Sequence, residues 1–271
     1  MLSGNIFDLD SGCKAMINGF RKISTIAALC LCFAGPMTGA TLAKDAEVRI
    51  RYEVDVKGVT IMKISFTTKL EGTSYTSDIT VKTTGFANWL SDYKMAMGSS
   101  GSVSKSSFAP VSFTRERKKN GKWKGAKTEW QQGSPQIDAD GGGEDFASMA
   151  QAVDQATLDP LTLLLRQAFN ADGSPCNGTH RVYDGRDVFD VNMSGAGPAE
   201  GKIDCHIQLN YVAGREVEKA KPDAAKPDEY DITLKEMDAA PLGRKIWIPH
   251  SITGAASGQI FVAKATDVDV K

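Results

Sequence analysis

Three features of the sequence predict an all-β fold with one main helix, an antiparallel β-spiral or open β-barrel with the helix packed in or across it. Residues 47–56 alternate polar and apolar, the period of a half-buried strand. Turn signals then recur between runs rich in threonine, valine and isoleucine, as in sandwiches and barrels. A single leucine-rich segment carries helical spacing. The chain has 271 residues, of which 41% are hydrophobic and 24% charged, the balance of an ordinary globular protein. A net charge of -1 gives no global basic field, so nucleic acid is not an expected partner.

The first strand places Val48, Ile50, Tyr52, Val54 and Val56 inward and ends at Gly58. Val59–Leu70 and Thr73–Thr84 follow, separated by Glu71-Gly72. Phe86–Leu90 reads as a short helical or turn segment, and Tyr93–Val103 and Val111–Lys119 as further strands. Asn120-Gly121 and Asp184-Gly185 are two-residue hairpin signals, joining Lys119 to Lys122 and Thr179–Tyr183 to Arg186–Met193. Lys122–Gln132 is the return strand of the first, and Lys202–Ala213, Glu229–Met237, Lys245–Thr253 and Gly258–Val268 complete the series. Consecutive hairpins favour up-and-down order, which curls into a closed or spiralling barrel.

Thr157–Phe169 is the predicted helix. Asp159 is placed to cap it, Pro160 fits its first turn, and Leu161, Leu164, Leu165 and Ala168 form its apolar stripe. Such a helix plugs a barrel, covers an open sheet face or walls a lipid cavity. Gly133–Gln151 and Glu216–Asp228 lack periodicity and read as loops.

The N-terminus reads as an address. Lys14, Arg21 and Lys22 precede the apolar run Ile23–Phe33, and Thr41-Leu42-Ala43 offers small residues for cleavage. The run is shorter than the about 20 residues a membrane span needs. Residues 1–43 are expected to be a signal peptide, with Met16 as an alternative start, cleaved near Ala43. Residues 44–271 are expected to be a single periplasmic β domain with no transmembrane segment after cleavage. Cys13, Cys30 and Cys32 would leave with the signal. Cys176 and Cys205 would remain, and two cysteines in an exported chain allow one disulfide. The competing reading, a catalytic thiol in Asp204-Cys205-His206, meets an obstacle. Neighbouring strand residues point to opposite faces, so Cys205 and His206 would not meet.

Four motifs resemble a family of bacterial exported proteins classified as a domain of unknown function. These are Tyr52-Glu53-Val54 followed by Gly58, Asp159-Pro160-Leu161-Thr162-Leu163-Leu164, Tyr183-Asp184-Gly185-Arg186 with Phe189-Asp190, and Trp247-Ile248-Pro249. The sequence is also similar in look to envelope-integrity proteins of alphaproteobacteria that form a periplasmic β-spiral with one disulfide. The resemblance implies a Gram-negative periplasm and an open barrel around a helix, and it carries no catalytic residue.

Chemistry-bearing motifs are sparse. His180, His206 and His250 stand at no zinc-type spacing, and no serine elbow, phosphate loop or dinucleotide fingerprint is present. Ser91-Asp92-Tyr93-Lys94 and Ser102-Val103-Ser104-Lys105 match Ser-x-x-Lys but fall in strand-like sequence, where the lysine cannot serve as base from the next helical turn. No cofactor or metal is expected.

Two groups remain as binding candidates. Trp89, Leu161, Leu164, Leu165, Phe169 and Trp247 are candidate cavity walls, with Arg186 as an anchor for an anionic head group; the bland alternative for Arg186 is a pairing with a turn carboxylate. Arg115, Arg117, Lys118, Lys119, Lys122 and Lys124, interleaved with Trp123, form a basic hairpin. It either solvates an edge or is a docking surface for anionic lipid heads, a cell-envelope polymer or another envelope protein. The expectation is a non-catalytic periplasmic protein binding a lipid, a lipoprotein segment or an envelope partner. The alternatives are a scaffold with a filled core and, third, an envelope hydrolase or thiol enzyme.

Overall fold

The computed structural model describes residues 45–271 apart from 86, 88–91, 105–106, 120, 140–143, 170–174, 215–227 and 257–258. The expected signal peptide, Trp89 and nearly all of the predicted 216–228 loop lie outside the described residues.

Among the described residues thirteen strands form one antiparallel sheet: β1 Ala46–Val56, β2 Val59–Glu71, β3 Ser74–Thr83, β4 Tyr93–Ser104, β5 Ser107–Lys119, β6 Lys122–Gln131, β7 Ser134–Ala139, β8 Gly178–Tyr183, β9 Asp187–Gly195, β10 Lys202–Gly214, β11 Asp228–Ala239, β12 Arg244–Ala256 and β13 Gln259–Val270. Their spatial order is β7-β6-β5-β4-β3-β2-β1-β13-β12-β11-β10-β9-β8. Two up-and-down meanders are thus joined where the first strand zips to the last, Val48 opposite Val270 and Glu47 exchanging backbone hydrogen bonds with Lys271. The free edges, β7 and β8, are joined by the helical stretch between them, α1 Glu144–Ala152 and α2 Pro160–Ala168.

Gly133–Gln151 is therefore not the expected loop. Ser134–Ala139 pairs with β6, and α1 packs Met149 against Tyr183, Val188 and Ala213. Strand β7 carries Pro135, which an edge strand tolerates because one row of its amides has no ladder partner. Strand β5 also begins earlier than expected, at Ser107. The Asp184 turn takes three residues, its carboxylate accepting from the amides of Arg186 and Asp187 at 2.9 Å each.

The sheet rolls on itself. Arg115 on β5 donates to the Asp184 carboxylate at 2.7 Å and to its carbonyl at 3.1 Å, joining strands near opposite ends of the sheet order. Gly185 is required there: its φ is +83, and a Cβ would stand 3.3 Å from the Cβ atoms of both Arg115 and Ala126. Trp130 on β6 donates to the carbonyl of Thr157 at 3.0 Å. Edge strand β8 is covered by the segment before α2, as Leu158 and β8 exchange backbone hydrogen bonds of 2.9 Å.

Helix α2 is pinned inside this roll. Asp159 caps it, accepting from the amides of Leu161 and Thr162 at 2.9 Å each. Its other oxygen accepts from Thr162 Oγ1 at 2.5 Å and Ser99 Oγ at 3.0 Å, and Tyr75 Oη lies 2.5 Å from Thr162 Oγ1. Asp159 is fully buried, and burial raises its carboxyl pKa against the pull of these hydrogen bonds. Burial likewise pushes the Tyr75 phenol up to about 12. At the other end of α2, Arg244 donates to the carbonyl of Phe169 at 2.8 Å, and Arg166 donates to that of Phe108 at 2.7 Å.

Losing the cap and stranding its buried donors sets the expected outcome for Asp159→Ala, a loss of about 3 kcal/mol in urea unfolding. Asp159→Asn tests the sign of the pKa shift. A carboxyl whose folded pKa is raised contributes stability below its unfolded value that is lost as pH rises through the folded one. The gap between wild type and Asp159→Asn is therefore expected to be widest near about pH 3.5 and to narrow toward neutrality. A gap that widens with pH would contradict the assignment.

Candidate functional site

Helix α2 divides the expected cavity walls. Leu161, Leu165 and Phe169 are buried in one cluster with Tyr75, Phe108, Ile246 and Ile248, the rings of Phe108 and Phe169 lying 5.3 Å apart. Leu163 is buried on the other side with Leu158, Val182, Phe189 and Val191. The helix is thus gripped on two faces. Leu164 lies on its remaining strip, 37% exposed, which corrects the stripe expected from the sequence. Trp247 packs elsewhere, against Cys176, Ile203, Cys205 and Leu234. Arg186 sits at the β8–β9 turn with its Nε 2.9 Å from the buried carboxylate of Asp187. Leu161, Leu164, Leu165, Phe169, Arg186 and Trp247 therefore do not converge on one cavity, and the end of the barrel around α2 is filled.

The opposite end differs. Residues directly opposite in the ladders share a face, so the inward side can be followed by register. Tyr52 opposes Ile64, which opposes Val81, which opposes Met95. Phe66, Ile79 and Met97 form the next row. Beyond β1, Val54 opposes Met62 and Ala263, and Ala263 opposes Ile252. Val56 opposes Phe261, Phe261 opposes Gly254, and Gly254 opposes Tyr230. A Cβ at Gly254 would lie 2.6 Å from the Tyr230 ring, so glycine makes room for Tyr230 and Phe261 to meet at 6.3 Å. Toward α2 the inward residues Leu70, Tyr75, Val103, Ile246 and Ile248 are buried. Toward the turns at 57–58 and 121, Met62, Ile64, Ile79, Met95, Met97, Tyr230, Ile252 and Phe261 keep partial exposure, whereas Val182 and Phe189 beside the 184–186 turn are buried. This turn-end mouth is an apolar surface facing inward with part of its area in water; it is continuous with the α2 core, against which Ile64, Ile79 and Met97 pack, and it includes buried Tyr52, Val54 and Val81. Methionine, unbranched and polarizable, suits a surface that must adapt to a guest.

The basic hairpin divides by face. Arg117 opposes Met95 across one ladder and Lys124 across the other, so both cations stand on the inward side of the mouth, with Lys122 two residues along. Lys118 opposes Trp123 on the outer side and binds Asp92 at 2.9 Å. Trp123 is exposed. Arg115 faces inward but is engaged by Asp184. Lys119 opposes Tyr93 and Lys122 in the ladders.

The second half of the sheet carries a disulfide, Cys176–Cys205, with Cα atoms 5.8 Å apart. Cys205 is buried while His206 points out, so the thiol reading fails on both oxidation and geometry. An open groove of about 480 Å³ runs over this region, lined by Ser194, Asp204, His206 and Asp231 among others. Asp231 and Ser194 flank His206 in register, and His206 Nδ1 lies 3.0 Å from Asp231 Oδ1. Their side chains are 43% and 78% exposed, so water screens the pair and nothing desolvates a nucleophile. Among the described residues no group of three or more histidine, cysteine or acidic side chains is placed to hold a metal.

Fold and site together define a β-barrel-like protein of antiparallel strands, sealed by a helix at one end. The chain belongs to the family described as Protein of unknown function (DUF3108), whose model matches residues 51–202. It is similar to a solved structure from Brucella abortus, described as a beta-barrel-like protein of domain of unknown function DUF1849. That likeness has 9% identity, a TM-score of 0.43, and covers 86% of this chain and 100% of the other. No curated protein matches the sequence.

Cys176→Ser or Cys205→Ser is expected to cost about 3–4 kcal/mol in the oxidised protein, as loop closure over 29 residues implies. The substitution is expected to add nothing further once wild type is reduced. Equal unfolding midpoints for oxidised wild type and either variant would contradict a structural role.

Proposed function

We propose that this protein is a non-catalytic component of the bacterial cell envelope, exported to the periplasm, that binds an apolar ligand in the turn-end mouth of its barrel. The observation that carries the reading is the set of inward residues Met62, Ile64, Met95, Met97, Ile252 and Phe261, partly exposed on the same face that is buried beside α2. Apolar surface turned toward a barrel's interior yet left wet is the feature of a ligand site rather than of a core. Export is supported by the basic, apolar and small-residue segments of residues 14–43 and by a disulfide in the folded domain.

Filling of the α2 end supports the scaffold reading for that half alone. A surface-acting scaffold would use the outer face of the hairpin, where Trp123 is exposed.

Titration of residues 44–271 with N-phenyl-1-naphthylamine, an uncharged apolar dye that brightens on leaving water, tests the proposal. Saturable binding is expected, weakened about tenfold or more by Met97→Glu, because a carboxylate must then be desolvated. Leu164→Glu on the outer strip of α2 is expected to change nothing. Absence of saturable binding, or equal loss from both variants, would overturn the site.

A further inference from the structure

We infer that the ligand is a single-chain lipid with an anionic head group, taken up as a monomer, its head held by Arg117 and Lys124 and its chain laid along Met95, Met97, Met62 and Ile64. The inference rests on the mouth proposed above as the apolar site and adds the chemistry of its ligand.

The argument begins with a like-charge pair. Arg117 and Lys124 stand directly opposite each other across the β5–β6 ladder, an arrangement that disfavours the hairpin. Some cations elsewhere are compensated, while Lys57, Lys82, Lys202, Lys235 and Lys264 also lack an ion pair with any described residue, so it is the like-charge pairing on the inward face that sets the hairpin apart. Arg115, one inward position further along β5, has Asp184 at 2.7 Å. Lys118 has Asp92 at 2.9 Å, Lys245 has Glu236 at 2.7 Å, and Arg181 is gripped by Asp190. Arg117, Lys122 and Lys124 form no ion pair with any described residue. By register they share the inward side of the hairpin with Lys119, beyond the overlap with the β8–β9 turn.

Position gives the second half. Arg117 is the ladder partner of Met95, and Arg115 that of Met97. Stepping across the sheet from Arg117 leads through Met95 and Val81 to Ile64, so the cation borders the wet apolar row directly. An edge kept soluble by lysines would carry them on its outer, solvated face, as Lys118 is carried. Here three cations point to the concave side, where a head group would meet the planar fork of Arg117 and the ammonium of Lys124 while its chain reaches the methionines. One anion would relieve the Arg117–Lys124 repulsion, so binding and hairpin stability are linked.

The test uses residues 44–271 and displacement of the neutral dye by myristate, by monomyristoylglycerol of the same chain length, and by phosphatidylglycerol vesicles. Wild type is expected to prefer myristate over the uncharged lipid by roughly tenfold or more, the factor of a charge-assisted contact. Arg117→Gln with Lys124→Gln is expected to abolish that preference while leaving dye affinity and monomyristoylglycerol affinity within about twofold, a readout that separates lost head-group binding from misfolding. Equal binding of the two lipids by wild type would overturn the anionic assignment and leave the apolar mouth standing. Displacement by vesicles without displacement by monomeric myristate would overturn it in favour of a membrane surface. Failure of both lipids and of the dye would remove the mouth itself.

Discussion

The buried carboxylate of Asp159 is the constraint on which the rest of the molecule turns. One side chain caps α2, holds Thr162 and draws in Ser99, while Thr162 reaches Tyr75. Strands β3 and β4 are thereby fastened to the helix by polar contacts in a place where unpaired polar groups would be costly. With its N-terminus fixed, α2 can lie only with Leu161 and Leu165 on one core and Leu163 on the other. The segment preceding it is likewise fixed, Leu158 covering edge strand β8 and Thr157 receiving Trp130. A helix tied in this way fills one end of the roll.

The other end follows from the way the sheet closes. No ladder joins β7 to β8. The roll is held instead by Arg115 on Asp184 and by the helical connection, contacts of side chains with turns and loop carbonyls. Full ladder closure would have fixed the strand tilt and filled the interior with alternating side chains. A spiral closed at points leaves its inward rows unequal, packed beside α2 and wet toward the turns.

Much of this was legible in the sequence, and what was not has a physical reason. Inward positions of β1 could be read because Val48, Ile50, Tyr52 and Val54 alternate with charges. The capping of α2 could be read from Asp159-Pro160, and the disulfide from compartment and count. Strand β7 could not, since Ser-Pro-Gln-Ile-Asp-Ala holds no alternation and becomes a strand only by pairing with β6. Leu164 departs from the expected stripe because one apolar stripe implies one buried face, whereas α2 is embedded between two cores. Arg117 and Lys118 are adjacent in sequence and equal in charge. Only the register with Met95 and Trp123 shows that one faces the mouth and the other faces out. The methionines of the mouth sit far apart in the chain, and alternation marks them as inward without telling a packed row from an open one.

The central claim, that one end of the roll is filled and the other receives an apolar chain, is tested most directly by crystallising residues 44–271 with a fatty acid brominated along its chain. Anomalous scattering locates bromine without interpretation of weak lipid density. Peaks are expected within contact of Met62 and Met95, with the carboxylate toward Arg117. Bromine beside Leu161 and Leu165, or confined to the outer face of the sheet, would contradict it.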